Sequence, residues 1–248
     1  MFVFTKRFFL RFLLAFSNPS LAVRRLLLGS RRLTLIELGE IAPFLTGYGA
    51  ILEAGASDGA DTEEMSRKFQ KHTIFAIEPI AKQYSLLKDK FRQSENVRVF
   101  RLALSDSDGA SKIWVSDNEA NPGTSGSSSL LSPKKHLDIF PTITFSQSEV
   151  VQTLKLESFC ISQRIDFIDL LWIDLQGMEY QVISSSAAFV SSSVNCIHLE
   201  VSRIELYEGT ILAQSIELLL EGLGFEKKID RVGIVSGNCL YVNKNFKS

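Results

Sequence analysis

From Gly49 onward, short apolar runs alternate with longer segments of helical pattern, and this rhythm limits the fold more than any other feature. "AILEAG" reads as a buried strand. "DTEEMSRKFQKH" reads as a helix with acids in its first turn and bases in its last, matching the macrodipole. "TIFAIEP" is a second strand, stopped by Pro79, and "AKQYSLLKDKFRQ" a second helix. "VRVFRLAL" reads as a third strand, followed by a polar turn and a short strand "KIWV". Later, "TLKLESFCISQ" reads as a strand end entering a short helix, and "IDLLWIDLQG" as a fully buried strand. "MEYQVISSSAAFV" is a helix, "NCIHLEVS" a strand and "AQSIELLLEGLG" an amphipathic helix capped by glycine. The closing pair, "FEKKIDRV" and "GNCLYVNK", reads as a hairpin, which makes one strand antiparallel. The pattern predicts an α/β fold: a doubly wound, mostly parallel sheet with helices on both faces.

Two segments depart from the rhythm. Residues 117–149, rich in Ser, Gly, Asn and Pro, read as an insertion or ligand-facing loop, because alternation resumes after them. Residues 1–40 read as a basic amphipathic helical segment, leaving 41–248 as the main domain. Seven of the 27 basic residues lie in residues 1–36 without an acid, so 20 face all 28 acids in the remainder. That acidic body argues against nucleic-acid binding. Phe8, Phe9, Phe12, Leu13 and Phe16 gather on one helix side, with Lys6, Arg7 and Arg11 nearer another. Arg11 breaks the apolar run, so no membrane span forms. Two readings stand: a helix packed on the main domain over a ligand cleft, or peripheral membrane contact through residues 1–32. A second helix is expected over residues 21–28. Cys160, Cys196 and Cys239 lack the spacing of a zinc site or disulfide framework, and read as buried thiols of a cytoplasmic protein.

The first strand ends in Glu53-x-Gly55-x-x-x-Gly59, which is not the G-x-G-x-x-G of a dinucleotide site. An acid at that strand end repels a pyrophosphate but suits a cation. S-adenosylmethionine is such a ligand, with an α-amino group and a sulfonium. Glu78 ends the second strand, 19 residues after Gly59, where a carboxylate can accept both ribose hydroxyls. Ile80 and Ala81 are placed to pack on adenine. Asp174, at the tip of "LLWID" near Gly177, is the candidate reaction centre. Glu200 holds the equivalent edge of the following strand. Glu179 opens a helix, where capping and function are equal readings. His198 reads as structural, and His72 and His136 show no evident partner in the sequence.

These elements resemble the FkbM family of S-adenosylmethionine-dependent methyltransferases from about residue 50 to residue 226. The resemblance rests on "EAGASDG", "AIEP", "LALSDSDG", "GSSSLL", "WIDLQGMEYQVI" and "HLEVS", in order and spacing. It implies a seven-stranded class I, Rossmann-like methyltransferase domain, and O-methylation, often of a sugar or natural-product hydroxyl. It implies cofactor contacts from Glu53, Gly55, Ala56, Asp58, Gly59, Glu78, Pro79, Ala103 and Asp174. Substrate contacts would come from Ser127, Ser128, Ser129, Gln176 and Glu179. Three positions depart from the family pattern: Asp58 replaces a frequent Asn, "LESF" a frequent L-D-D-L, and Ser184–Ser186 a common Gly.

The expected chemistry is methyl transfer to a hydroxyl, with Asp174 removing its proton or ligating a metal and Glu200 assisting. A divalent metal such as Mg²⁺ stays open, because oxygen ligands suit it. No residue is assigned to a metal. A non-catalytic cofactor-binding or membrane-associated module is the alternative. A nicotinamide oxidoreductase is disfavoured by the missing glycine fingerprint, the acid in the first turn and the closing hairpin.

Overall fold

A computed structural model describes residues 34–119 and 126–246. The expected helices at residues 1–33 lie outside the described residues. Five strands, β1 (Ala50–Ala54), β2 (Thr73–Ile77), β3 (Val97–Phe100), β7 (Ile168–Ile173) and β8 (Val194–Ser202), form the parallel part of the main sheet. β9 (Phe225–Val232) and β10 (Ser236–Asn243) complete it in the order β3-β2-β1-β7-β8-β10-β9. β10 runs antiparallel to both of its neighbours, as the closing hairpin requires. The doubly wound, seven-stranded expectation therefore holds.

Alternate residues on each strand serve opposite faces. Leu52, Ile77, Leu171, Ile173, Ile197 and Leu199 pack on one face. Against them lie α5 (Leu156–Gln163), α6 (Glu179–Ser185) and α8 (Ala213–Gly222), through Phe159, Val182, Ile183, Ile216 and Leu220. Ile51, Ile74, Leu170, Cys196 and Leu240 face the other way. They meet Met65 of α2 (Ala60–Lys68), Leu87 of α3 (Ala81–Lys90) and Ile41 of the short α1 (Leu38–Ile41). Leu171 is completely buried, so Leu171→Ala costs about 2–5 kcal/mol. Residues 34–44 are stitched to the sheet: Asn238 Nδ2 donates to the Thr34 carbonyl at 2.7 Å and Asn195 Nδ2 to the Phe44 carbonyl at 3.0 Å.

Three local readings are corrected. The third strand is not continuous to Leu104; it stops at Phe100, and Ala103–Leu104 form β4 of a second sheet. That sheet, in the order β4-β6-β5, takes up the two ends of the expected loop, residues 117–118 and 143–149. β5 covers Gly109–Asn118, β6 covers Ile143–Leu154, and α4 (His136–Ile139) lies between them. The short strand read at "KIWV" lies within β5, but polar composition hid most of β6, in which only Val151 and Thr153 are buried. The helix expected over 178–190 breaks at Ser186 into α6 and α7 (Ala187–Ser193).

At the amino edge of the main sheet, Asp169 on β7 is completely buried. It accepts the Thr46 amide and hydroxyl at 2.9 Å each, the Gly47 amide at 3.0 Å and Asn195 Nδ2 at 2.9 Å. His72 Nε2 lies 2.9 Å from its second oxygen, supplying the partner that the sequence did not reveal. Burial pushes the Asp169 carboxyl up, but these partners together hold it below its ordinary value. All three cysteines are free and buried.

Candidate active site

The strand order reverses between β1 and β7, which pair in parallel while their chains continue to opposite sides. Ligands of open α/β sheets bind beyond the carboxyl ends of strands at such a point. Two turns meet there. After β1, Gly55 has φ +94°, and a Cβ built on it would stand 2.2 Å from the Asp174 carbonyl oxygen. Only glycine lets the two backbones approach so closely. After β7, Gln176 and Gly177 both have positive φ, +53° and +107°. A Cβ on Gly177 would meet Thr210 Oγ1 at 2.7 Å.

Acids cluster around the first turn. Glu53 is 2% exposed and turned towards α2, where Thr62 Oγ1 donates to it at 2.5 Å. Burial, against the pull of that bond, raises its carboxyl to about 8, and Asp61, Glu78 and Asp58 add repulsion. Glu78 accepts the Ser57 amide on one oxygen and the Ile80 amide on the other, both at 2.9 Å. Burial raises it to about 7 despite both bonds. Asp58 accepts the Ala60 amide at 3.0 Å, fastening the entry to α2. Ala56 is buried, and its amide shares the Ile77 carbonyl with that of Gly55. Pro79 ends β2, and Ile80 beyond it packs with Ala103, Ile113, Val151 and Leu130 between the sheets. Beside this cluster lies a cavity of about 320 Å³, bordered by Asp106, Leu130, Leu131, Met178 and Gln181.

The second turn carries a polar chain. Gln176 Nε2 donates to Asp174 at 2.6 Å and to Glu200 at 3.3 Å, joining two half-buried carboxyls on neighbouring strands. Burial pushes Asp174 above the usual carboxylate range. Burial and the adjacent Asp174 raise Glu200 to about 8, although Ser236 Oγ donates to it at 2.9 Å. Two such groups favour one shared proton over full ionisation. Glu179, 4% exposed, accepts the amides of Leu175 at 2.8 Å and Gly177 at 3.0 Å, and burial raises it to about 7. It thus fastens the turn before α6 rather than capping the helix, whose N-cap is Met178 and has no side-chain cap.

The serine loop runs beside this turn. Ser129 pairs with Trp114, and its hydroxyl donates to the Gln176 carbonyl at 2.8 Å. Ser128 Oγ accepts the Ser116 amide at 3.0 Å, and the Ser127 amide donates to Ser116 Oγ at 3.1 Å. Tyr207, Ser236 and Thr62 join the site without a sequence signal beyond their places in a loop, at the start of β10 and in the first turn of α2. Below Asp174 and Glu200, His198 stacks on Trp172 with ring centroids 3.6 Å apart. Both of its ring nitrogens lack a partner among the described residues, and burial lowers its basicity to about 3. No group of three or more His, Cys, Asp and Glu among the described residues could hold a metal ion, and no described helix is long and apolar enough to cross a membrane.

A seven-stranded sheet in this order, with one antiparallel strand and acids at the tips of β1, β2 and β7, defines a class I, Rossmann-like methyltransferase fold. Residues 53–227 match the methyltransferase FkbM domain, and the chain belongs to that family. The 2-O-methyltransferase NoeI of Sinorhizobium fredii (strain NBRC 101917 / NGR234) is 29% identical over 171 residues, covering 68% of this chain and 70% of its own. The crystal structure of a methyltransferase FkbM from Methylobacillus flagellatus KT aligns with TM-score 0.49 and 12% identity over 79% of this chain. This chain spans only 44% of that structure's length. Aeropyrum pernix fibrillarin, solved with natively bound S-adenosyl-L-methionine, aligns with TM-score 0.45 and 12% identity, covering 84% of this chain and 70% of that one.

Proposed function

We propose that the protein is an S-adenosylmethionine-dependent O-methyltransferase acting on a hydroxyl of a sugar, glycan or natural product. The observation that carries this reading is the Asp174–Glu200 pair, bridged by Gln176 at the switch point. A carboxyl pair with raised proton affinity is suited to receive the proton that an acceptor hydroxyl releases.

The first turn fits the cofactor. Glu53, Asp58, Asp61 and Glu78 converge there, and Glu53 is raised to about 8. A cationic amino-acid end restores the charge that burial suppresses, whereas a pyrophosphate worsens the repulsion. Glu78 would hold the ribose. The cavity beyond Ile80 and Leu130 suits a purine: Leu130, Leu131 and Met178 offer apolar contact, and Asp106 offers an acceptor for an exocyclic amine. The bound cofactor would supply a methyl group already activated by its sulfonium. The chain's own residues would then orient the acceptor, take its proton at Asp174 with Glu200 sharing the charge, and exclude water. Ser127 and Ser128 border the same region from the serine loop and would orient the acceptor. The 2-O-methyltransferase NoeI supports transfer of the methyl group to an oxygen.

Calorimetry with S-adenosylmethionine and NAD in parallel, then a labelled-methyl assay over methyl glycosides and small hydroxylated acceptors, tests the reading. Binding of the first ligand alone, with label transferred to an oxygen, is the expected result. Preference for NAD refutes it, and cofactor binding without transfer to any acceptor favours a non-catalytic module.

A further inference from the structure

The carboxyl pair is held by an amide, and the amide by a phenol. Tyr207 follows β8, is 1% exposed, and packs its ring among His136 and Phe145. Its hydroxyl oxygen lies 2.8 Å from Gln176 Oε1 and 2.8 Å from the Ser127 carbonyl oxygen. Both neighbours only accept, and a phenol has one proton, so it serves one of them at a time. Burial, with repulsion from Asp174 and Glu200, pushes the phenol's ionisation well above its ordinary value, so it stays a donor. Gln176 has little other freedom: its φ is +53°, and its carbonyl is tied to Ser129. What remains is which end of its amide faces the carboxyls.

We propose that Tyr207 is a positioning residue for the transfer: donating to Gln176 Oε1, it turns the amide nitrogen towards Asp174 and Glu200, and its alternative bond to Ser127 couples that alignment to the serine loop. An acceptor hydroxyl that donates to the Ser127 carbonyl replaces the phenol there. The phenol proton is then free for Gln176, so the carboxyl pair is aligned when an acceptor arrives. The kinetic part rests on the methyl-transfer reading; the hydrogen-bond part does not.

The test uses the full chain, labelled with ¹⁵N. The side-chain amide signals of Gln176 are assigned by their absence in Gln176→Met. In Tyr207→Phe, which keeps the ring in its aromatic cluster, solvent exchange of these protons should quicken at least about tenfold. Exchange within twofold of wild type overturns the proposal. The Tyr207 hydroxyl proton gives a second reading that leaves position 207 unchanged: its signal should move in Gln176→Met, and an unmoved signal overturns the link. With a methyl glycoside as acceptor, Tyr207→Phe should lower kcat about tenfold and leave KM for S-adenosylmethionine unchanged. The Tyr207→Phe/Gln176→Met double variant should be no slower than Gln176→Met alone. Losses that multiply overturn the route through Gln176. A wild-type chain that binds no S-adenosylmethionine sinks the enzymatic reading, while the amide measurement still decides the hydrogen-bond claim.

Discussion

Asp169 lies near the start of β7 and Asp174 just past its end, five residues apart, and they are opposites. Asp169 sits at the amino edge, completely buried, with four donors and a histidine around it. Its carboxyl is held below the ordinary range. Asp174 sits at the carboxyl edge, half-buried, with an amide on one side and a second carboxyl beyond it. Its carboxyl is pushed up. The first acid is neutralised by its surroundings and ties loops together. The second is left with unspent proton affinity, the condition for a group that takes part in chemistry.

The largest expected effect lies at Asp174. Asp174→Asn should cut methyl transfer about 10³-fold, while affinity for S-adenosylmethionine stays within threefold and Tm does not fall. Radiometric turnover and calorimetry check this; turnover near wild type removes Asp174 from the chemistry. Asp169→Ala should do the reverse. Leaving its donors without an acceptor should cost about 3 kcal/mol in urea unfolding, with near-normal turnover in the fraction that stays folded. A small stability loss there would dissolve the contrast between the two edges.

The sequence could not tell these acids apart. "IDLLWIDLQG" shows two Ile-Asp pairs on one apolar strand, and only the strand's direction distinguishes them. Direction followed from the alternation of strands and helices, which is why Asp174 and Glu200 were legible as edge residues. The partners of Asp169 come from residues 46, 47, 72 and 195, and no local pattern links them. Tyr207 was invisible for the same reason: its role depends on a loop meeting the turn after β7 from 31 residues away. Of the second sheet only "KIWV" and the end of "VRVFRLAL" were legible as strand; most of β6 was not, because it buries few side chains and the alternation that marks a strand is faint.

A smaller effect should appear at Glu78. Glu78→Gln removes a charge and leaves one acceptor for two amides, so affinity for S-adenosylmethionine should fall about tenfold. Unchanged affinity would place the ribose elsewhere. The mildest test concerns pH. Glu53 and Glu200, raised to about 8, and Glu78 and Glu179, raised to about 7, keep protons that the unfolded chain has released above about pH 4.5. Stability should therefore fall as pH rises from 5 to 8, by roughly 4 °C in Tm without ligand. Glu53→Gln should flatten that slope, because the amide does not ionise. A Tm that climbs across this window would mean that these carboxyls are already charged.

The contact between Gly55 and the Asp174 carbonyl has a consequence for how this scaffold diversifies. With 2.2 Å available to a methyl group, the two central turns behave as a welded joint: neither can be rebuilt without displacing the other. Novelty must enter from the rim, through the serine loop and the segment around Tyr207, which touch the joint by side chains and can be exchanged piecemeal. A designer seeking a new acceptor should randomise the rim and leave the weld alone.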